Sequence, residues 1–88
     1  MTRRSLIIEP QDTVAVLLED AFKGDSIEGP GGTITLLDDI EFAHKAALVD
    51  HGAREPVIKY GHEIGYALDA IKRGTWIHNH NMGCDRGR

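Results

Sequence analysis

Three glycines, Gly61, Gly65 and Gly74, divide the run from Pro56 to Asn81 into pieces too short for a long helix and well suited to strands joined by tight turns. Val57, Ile58 and Tyr60 are β-branched or aromatic. They stand just before Gly61-His62, a Gly-X pair that fits a two-residue hairpin turn whose first central residue needs positive φ, with Glu63 to Ala67 as the return strand. Gly65 within that strand marks a bulge or a close approach of another backbone. After a turn at Lys72-Arg73-Gly74, Thr75 to Asn81 reads as a third strand. Alternation then places Trp76, His78 and His80 on one side and Ile77, Asn79 and Asn81 on the other, with the two histidines about 7 Å apart at Cα. Ile64, Leu68 and Ile71 also match helical spacing, although Gly61, Gly65 and Gly74 near or within that stretch lower its helix propensity.

The rest of the chain has the same texture. Thr13 to Leu18 is a strand. Asp20 to Asp25 turns into a short strand at Ser26-Ile27, and Gly29-Pro30-Gly31-Gly32 closes a hairpin with Thr33 to Leu37. Asp38-Asp39-Ile40-Glu41 fits one capped helical turn. Ala46 to Asp50 is a further short strand, and His51 to Glu55 is a loop in which His51 should tolerate replacement by alanine. Residues 1–11 read as a frayed end or an edge strand interrupted by Pro10, and 82–88 as a flexible end. Asp20-Ala21-Phe22-Lys23-Gly24 faintly echoes Asp69 to Gly74. The expectation is an all-β domain of short, mostly antiparallel strands with Gly-rich turns.

Eighty-eight residues make one domain, 1–88. A single cysteine, Cys84, allows no internal disulfide, which suits a reducing cytoplasm. No apolar run approaches the ~20 residues that span a bilayer, and no secretory signal opens the chain, so we expect a soluble, cytoplasmic protein without a membrane partner. The net charge is −4 and uneven. Glu9 to Glu41 holds nine carboxylates and one lysine; from Phe42 onward there are five acids, seven bases and all five histidines. The second half is thus the half that suits an anionic ligand. No basic stripe with interleaved aromatics points to nucleic acid.

His78 and His80 are the leading candidates for chemistry, because two imidazoles on one strand face can move protons or bind a divalent metal, with His44 as a third ligand. Asn79 and Asn81 can hydrogen-bond hydroxyls or a carboxylate, and Lys45 and Lys59 can pair with an anion. Each has a plainer reading as a backbone-bonded imidazole, a water-facing amide or a solvated cation. Tyr60 and Trp76 suit the core or an interface. The chain has no nucleophile motif, no phosphate-cradling loop and no cysteine cluster.

The run Val57-Ile58-Lys59-Tyr60-Gly61, then Ile64-Gly65, Ile71, Gly74 and Ile77-His78-Asn79-His80-Asn81, resembles the SAF (β-clip) domain of the altronate and galactarate dehydratases. The same module forms the small subunit of sulfolactate sulfo-lyase. The resemblance reaches back through Ile40, His44-Lys45 and Ala47-Leu48 to Asp12-Thr13-Val14-Ala15. It implies a β-clip fold and a hydro-lyase role, with His78 and His80 catalytic and Lys45, Asn79 and Asn81 toward the substrate. It also implies dependence on Fe2+ or Mn2+, for which His44, His78 and His80 are the ligand candidates.

In fused relatives the HNHN segment leads into a much larger domain, whereas this chain stops seven residues later at Arg88. The expectation is therefore a small subunit, inactive alone, that completes the site of a large dehydratase subunit acting on a sugar acid. Self-association through Leu6-Ile7-Ile8 and Trp76 is a further expectation. The alternatives are the small subunit of sulfolactate sulfo-lyase, or a non-catalytic binding or assembly module of the kind found in sialic acid synthases and flagellar chaperones.

Overall fold

The computed structural model describes residues 1–84, which form short strands and no helix. The strands are β1 (Ser5–Leu6), β2 (Val14–Leu17), β3 (Ser26–Gly29), β4 (Gly32–Thr35), β5 (Lys45–Ala47), β6 (Pro56–Lys59), β7 (His62–Ala67), β8 (Trp76–Ile77) and β9 (Met82–Gly83). They pair antiparallel in three small sheets, ordered β1-β2-β5-β8, β3-β4 and β6-β7-β9. The first of these is the central sheet. One of its faces packs Ala15, Leu17 and Ala46 against the β3-β4 hairpin, and the other packs Val14, Ala47 and Ile77 against Val57 and Ala67. Alternation along β2 and β5 is what divides the core in two.

What joins the strands is one nine-residue corner made four times, at 18–26, 37–45, 48–56 and 68–76. The fourth residue of each corner is buried and bridges to its counterpart, Ala21 to Ile40 and His51 to Ile71. The seventh is left-handed in every case: Gly24, Ala43, Arg54 and Gly74. The eighth donates its N–H to the carbonyl of the fifth, as in Asp25 to Phe22 and Thr75 to Lys72. The corners therefore dock in pairs related by approximate twofold symmetry. The faint echo between residues 20–24 and 69–74 belongs to this pattern, which extends to two further corners: leucine opens all four, and aspartate holds the third position of three.

Carboxylates at the third corner position stitch the pairs together. Asp20 Oδ1 accepts the Phe42 N–H at 2.9 Å, Asp39 Oδ1 the Lys23 N–H at 2.8 Å, and Asp50 Oδ1 the Arg73 N–H at 2.8 Å. In the fourth corner the third position is Ala70, and among the described residues no acceptor reaches the Ala53 N–H that a carboxylate there would take. Ala70→Asp should therefore stabilise the domain by about 1 kcal/mol. Thermal unfolding should rise by roughly 4–8 °C, and Ala70→Asn should follow in the same direction. An unchanged midpoint in both variants would show that the fourth stitch has no value.

Several local expectations are corrected here. No helical turn forms at 38–41, because Asp39 serves Lys23 and Asp38 Oδ2 accepts the Trp76 N–H at 3.0 Å, leaving neither carboxylate for a local cap. The hairpin turn is Tyr60-Gly61, one residue earlier than expected, with φ of 57° and 74°. The Asp12 carboxylate, buried beneath it, accepts the Gly61 N–H at 2.8 Å and holds a left-handed tyrosine in place. A bulge follows, since Val57 pairs with Gly65 and Ile58 with Glu63. Gly65 has both features expected of it: a Cβ there would strike the Gly83 carbonyl across β7-β9. The N-terminal segment contributes an edge strand, β1, and Thr2 bridges to Ser26. Met82–Gly83 is a strand, and the remainder of the expected flexible end, 85–88, lies outside the described residues. No helix among the described residues is long and apolar enough to cross a membrane.

His51 is a core residue and not the free loop residue expected. It fills the corner position that Ala21, Ile40 and Ile71 fill elsewhere, is 3% exposed, and pairs through Nε2 with Thr13 Oγ1 at 2.9 Å. That hydroxyl also accepts the Ile58 N–H at 2.9 Å, so the imidazole ties a corner to β6. Replacement by alanine should not be tolerated; it should cost about 1–3 kcal/mol.

Burial lowers the His51 pKa below its ordinary value near 6.5, against the opposing pull of Val49, Glu55 and Asp50. The unfolded chain takes up a proton near 6.5 while the folded one resists it. His51 therefore takes nothing from stability above about pH 6.5 and progressively destabilises the fold below it. Asp12 acts at lower pH. Burial alone would raise its carboxyl, but backbone donors led by Gly61 and Glu9 outweigh burial and hold it below 3.8, so its contribution is lost as pH falls beneath that value. Urea midpoints should fall between pH 7.5 and 5.5 in the wild type and fall less in His51→Gln, which cannot titrate. Equal losses would contradict the assignment.

Candidate functional site

The central sheet ends at Ile77, and the next four residues fold back as a turn into β9. Asn81 closes this turn with both ends of its amide: Oδ1 accepts the His78 N–H at 3.0 Å, and Nδ2 donates to the Trp76 carbonyl at 2.8 Å. The backbone adds Asn81 N–H to His78 O at 3.1 Å and Met82 N–H to the same oxygen at 2.9 Å. The expected strand from Thr75 to Asn81 is thus cut at Ile77. A short polar side chain that satisfies two backbone groups competes with the ladder and wins.

The rings nevertheless gather on one side. Trp76 and His78 stack with centroids 5.5 Å apart and planes 12° from parallel, and His80 meets the same indole at 4.8 Å. His44, carried by the corner that precedes β5, lies 5.6 Å from Trp76 and 5.2 Å from His78. Cross-strand pairing of Ala46 with Trp76 explains why His44 arrives there. Sequence alternation expected His78 and His80 to meet along a strand; they meet instead around the indole, placed by a turn.

Exposure grades the set. His44, Trp76 and His78 are half-buried, whereas Asn79 and His80 are exposed. His44 Nδ1 and Trp76 Nε1 are buried without a hydrogen-bond partner among the described residues. Trp76 is thus a stacked platform and not the open apolar patch expected of it.

Asn79 and Asn81 divide their roles. The Asn79 amide is exposed, while the Asn81 amide is engaged at both ends within the turn. Lys45 is not brought to this cluster: it pairs with Ile77 across the sheet and so shares the face of Ile77, while Ala46 and Trp76 hold the other. Sequence reasoning missed Asp38, which anchors Trp76 from 38 residues away. Only an unexplained pair of aspartates in a turn could have hinted at it.

The residues do not make a metal centre by themselves. Among the described residues no group of three histidine, cysteine, aspartate or glutamate side chains is arranged to hold an ion, and His44, His78 and His80 are drawn to an indole instead of to one point. Two surface clefts, of about 300 Å3 beside Pro30, Ile34 and Arg73 and about 380 Å3 beside Arg3, Leu18 and Glu28, contain none of the clustered residues. The cluster is a surface group of stacked rings that lies outside both clefts.

The profile described as the altronate/galactarate dehydratase SAF domain matches residues 3–85. The chain belongs to this family. Among curated relatives it is 43% identical over 74 residues to altronate dehydratase of Escherichia coli, 84% of this chain and 15% of that protein. To galactarate dehydratase (L-threo-forming) of the same organism it is 39% identical over 70 residues, 80% of this chain and 13% of that one. It is also 39% identical over 49 residues to (2R)-sulfolactate sulfo-lyase subunit alpha of Chromohalobacter salexigens, 56% of this chain and 52% of the subunit. This SAF domain therefore spans about a seventh of the dehydratases it matches, and about half of a protein that is itself a subunit.

Proposed function

We propose that this SAF domain serves a sugar-acid dehydratase, presenting the turn His78 to Asn81 to an active site completed by a much larger polypeptide. The observation that carries the reading is the gathering of His44, His78 and His80 around Trp76 on an open surface. The small share of the dehydratases that the chain spans supports the need for a second component.

In such a dehydration a proton leaves the carbon beside the carboxylate, the neighbouring hydroxyl departs as water, and a double bond forms between the two carbons. His80, the exposed imidazole, is the proton-moving group in this reading. His78, stacked on Trp76, orients the turn and meets the substrate beside it, and the exposed Asn79 amide is placed to hydrogen-bond a substrate hydroxyl. Asn81 acts by holding the turn. The enclosing polypeptide excludes water, which strengthens each of these interactions.

A second reading, supported by the match to a sulfo-lyase subunit, keeps the same geometry and replaces the departing hydroxyl with sulfite. Mixing the chain with a large dehydratase polypeptide and assaying altronate, galactarate and sulfolactate separates the two. Turnover should require both components. Full activity of the large polypeptide alone would leave the SAF domain as an assembly module.

A further inference from the structure

The face of the central sheet opposite the histidines carries its own cluster of cations. Lys45 of β5 pairs with Val16 on one side and Ile77 on the other, both hydrophobic, and is half-buried. Val57 of β6 packs into the core against this face, and alternation puts Lys59, two residues on, on the same side of β6. His62 is the cross-strand partner of Lys59. The backbone ties this end of β6 to β2, with Thr13 N–H donating to Ile58 O at 2.9 Å.

Among the described residues neither lysine forms an ion pair. Asp12 accepts the Gly61 and Glu9 N–H groups, and Glu9 lies beyond the turn against Gly61. Lys59 Nζ stands 5.1 Å over the Tyr60 ring, held there by the turn that Asp12 fixes. In a chain of net charge −4 with 14 acidic residues, two cations on one side of the sheet without an ion pair, one of them half-buried, are costly to keep together. Burial, and then the neighbouring Lys59, pull the Lys45 pKa down, as expected of a cation missing its counter-ion.

We propose that Lys45 and Lys59 form a binding site for a small multivalent anion, separate from the histidine turn and on the opposite face of the central sheet. Two ammonium groups from different sheets can close on one ligand carrying two negative charges, and the exposed His62 beside Lys59 offers a further donor. The site is independent of the dehydratase reading, since it uses none of the clustered rings. A polycarboxylate and an inorganic oxyanion share the required chemistry.

The test is a titration of the 88-residue chain with galactarate and, separately, with inorganic phosphate, at constant ionic strength, following the lysine side-chain resonances. Lys45 and Lys59 signals should shift saturably with at least one anion. Lys45→Met and Lys59→Met, which keep an apolar stem, should each weaken binding about tenfold, the loss of one charge-assisted hydrogen bond. Lys72→Met should not. Saturation with galactarate alone identifies a polycarboxylate site, with phosphate alone an oxyanion site, and with both a site that reads charge. Without anion, Lys45→Met should raise the melting temperature; a fall would mean that Lys45 already has a partner and would overturn the proposal. Shifts that never saturate, or survive unchanged in the double variant, would overturn it as well.

Discussion

Gly74→Ala is expected to remove a large part of the stability of this domain, whereas Gly24→Ala, at the same position of another corner, should remove distinctly less. Both glycines are left-handed, with φ of 91° and 94°, and a side chain there costs about 1–2 kcal/mol. The corner itself accepts that cost, since Ala43 and Arg54 occupy the matching positions at φ of 72° and 74°. What differs is the surroundings. A Cβ on Gly24 meets nothing, but one on Gly74 runs into the Thr35 carbonyl.

Gly74 cannot retreat from that contact. Its N–H donates to Ala47 O at 2.8 Å and its carbonyl accepts the Leu37 N–H at 2.9 Å. Overpacking of about 1–3 kcal/mol therefore adds to the backbone term. The two terms together, about 2–5 kcal/mol, are a large fraction of the roughly 4–13 kcal/mol expected for a domain of this size. Urea denaturation of the two variants side by side checks the difference, and equal losses would refute it.

Asn81→Ala is the second large effect, and it links the fold to the site. The substitution strands the His78 N–H and the Trp76 carbonyl, which should cost about 1–3 kcal/mol. The greater consequence is geometric, because the turn that stacks His78 on Trp76 loses its closure. Trp76 fluorescence should change in Asn81→Ala, and Asn81→Asp, which keeps the acceptor and loses the donor, should fall between it and the wild type. In the reconstituted enzyme, turnover should drop in the same order. A wild-type emission spectrum in Asn81→Ala would show that the turn does not depend on this side chain.

Much of the fold was legible where the signal is local. The hairpin across Pro30-Gly31, the crowded Gly65 and the edge strand before Pro10 follow from glycine, proline and β-branched residues read in short windows. The misreadings share one cause, which is side chains that act at a distance. The Tyr60-Gly61 turn depends on Asp12, whose bond to Gly61 joins residues 49 apart. The capped helical turn at 38–41 fails because Asp38 and Asp39 reach Trp76 and Lys23. The fourfold corner stayed hidden because its repeated residues are sparse: leucine opens each corner and aspartate stands third in three, while the rest of the repeat is backbone hydrogen bonds and one left-handed residue, which Gly, Ala and Arg all supply. His51 read as a loop residue for the same reason, although it stands at a core position.

The gathering of the histidines was legible in its membership and not in its geometry. His78, His80 and His44 do assemble, but around an indole and through a turn, while Lys45 goes to the other face. Alternation was sound for Trp76 and Ile77 and stopped applying where Asn81 folds the chain back.

The most direct measurement is turnover of the complex between this chain and a large dehydratase polypeptide, with His80→Ala and His78→Ala compared against wild type at equal saturation of the complex. Loss of a general acid–base group predicts a fall of about 10²–10⁴-fold in kcat for His80→Ala, with complex formation and the β-sheet spectrum unchanged. Wild-type kcat in both variants would contradict the account.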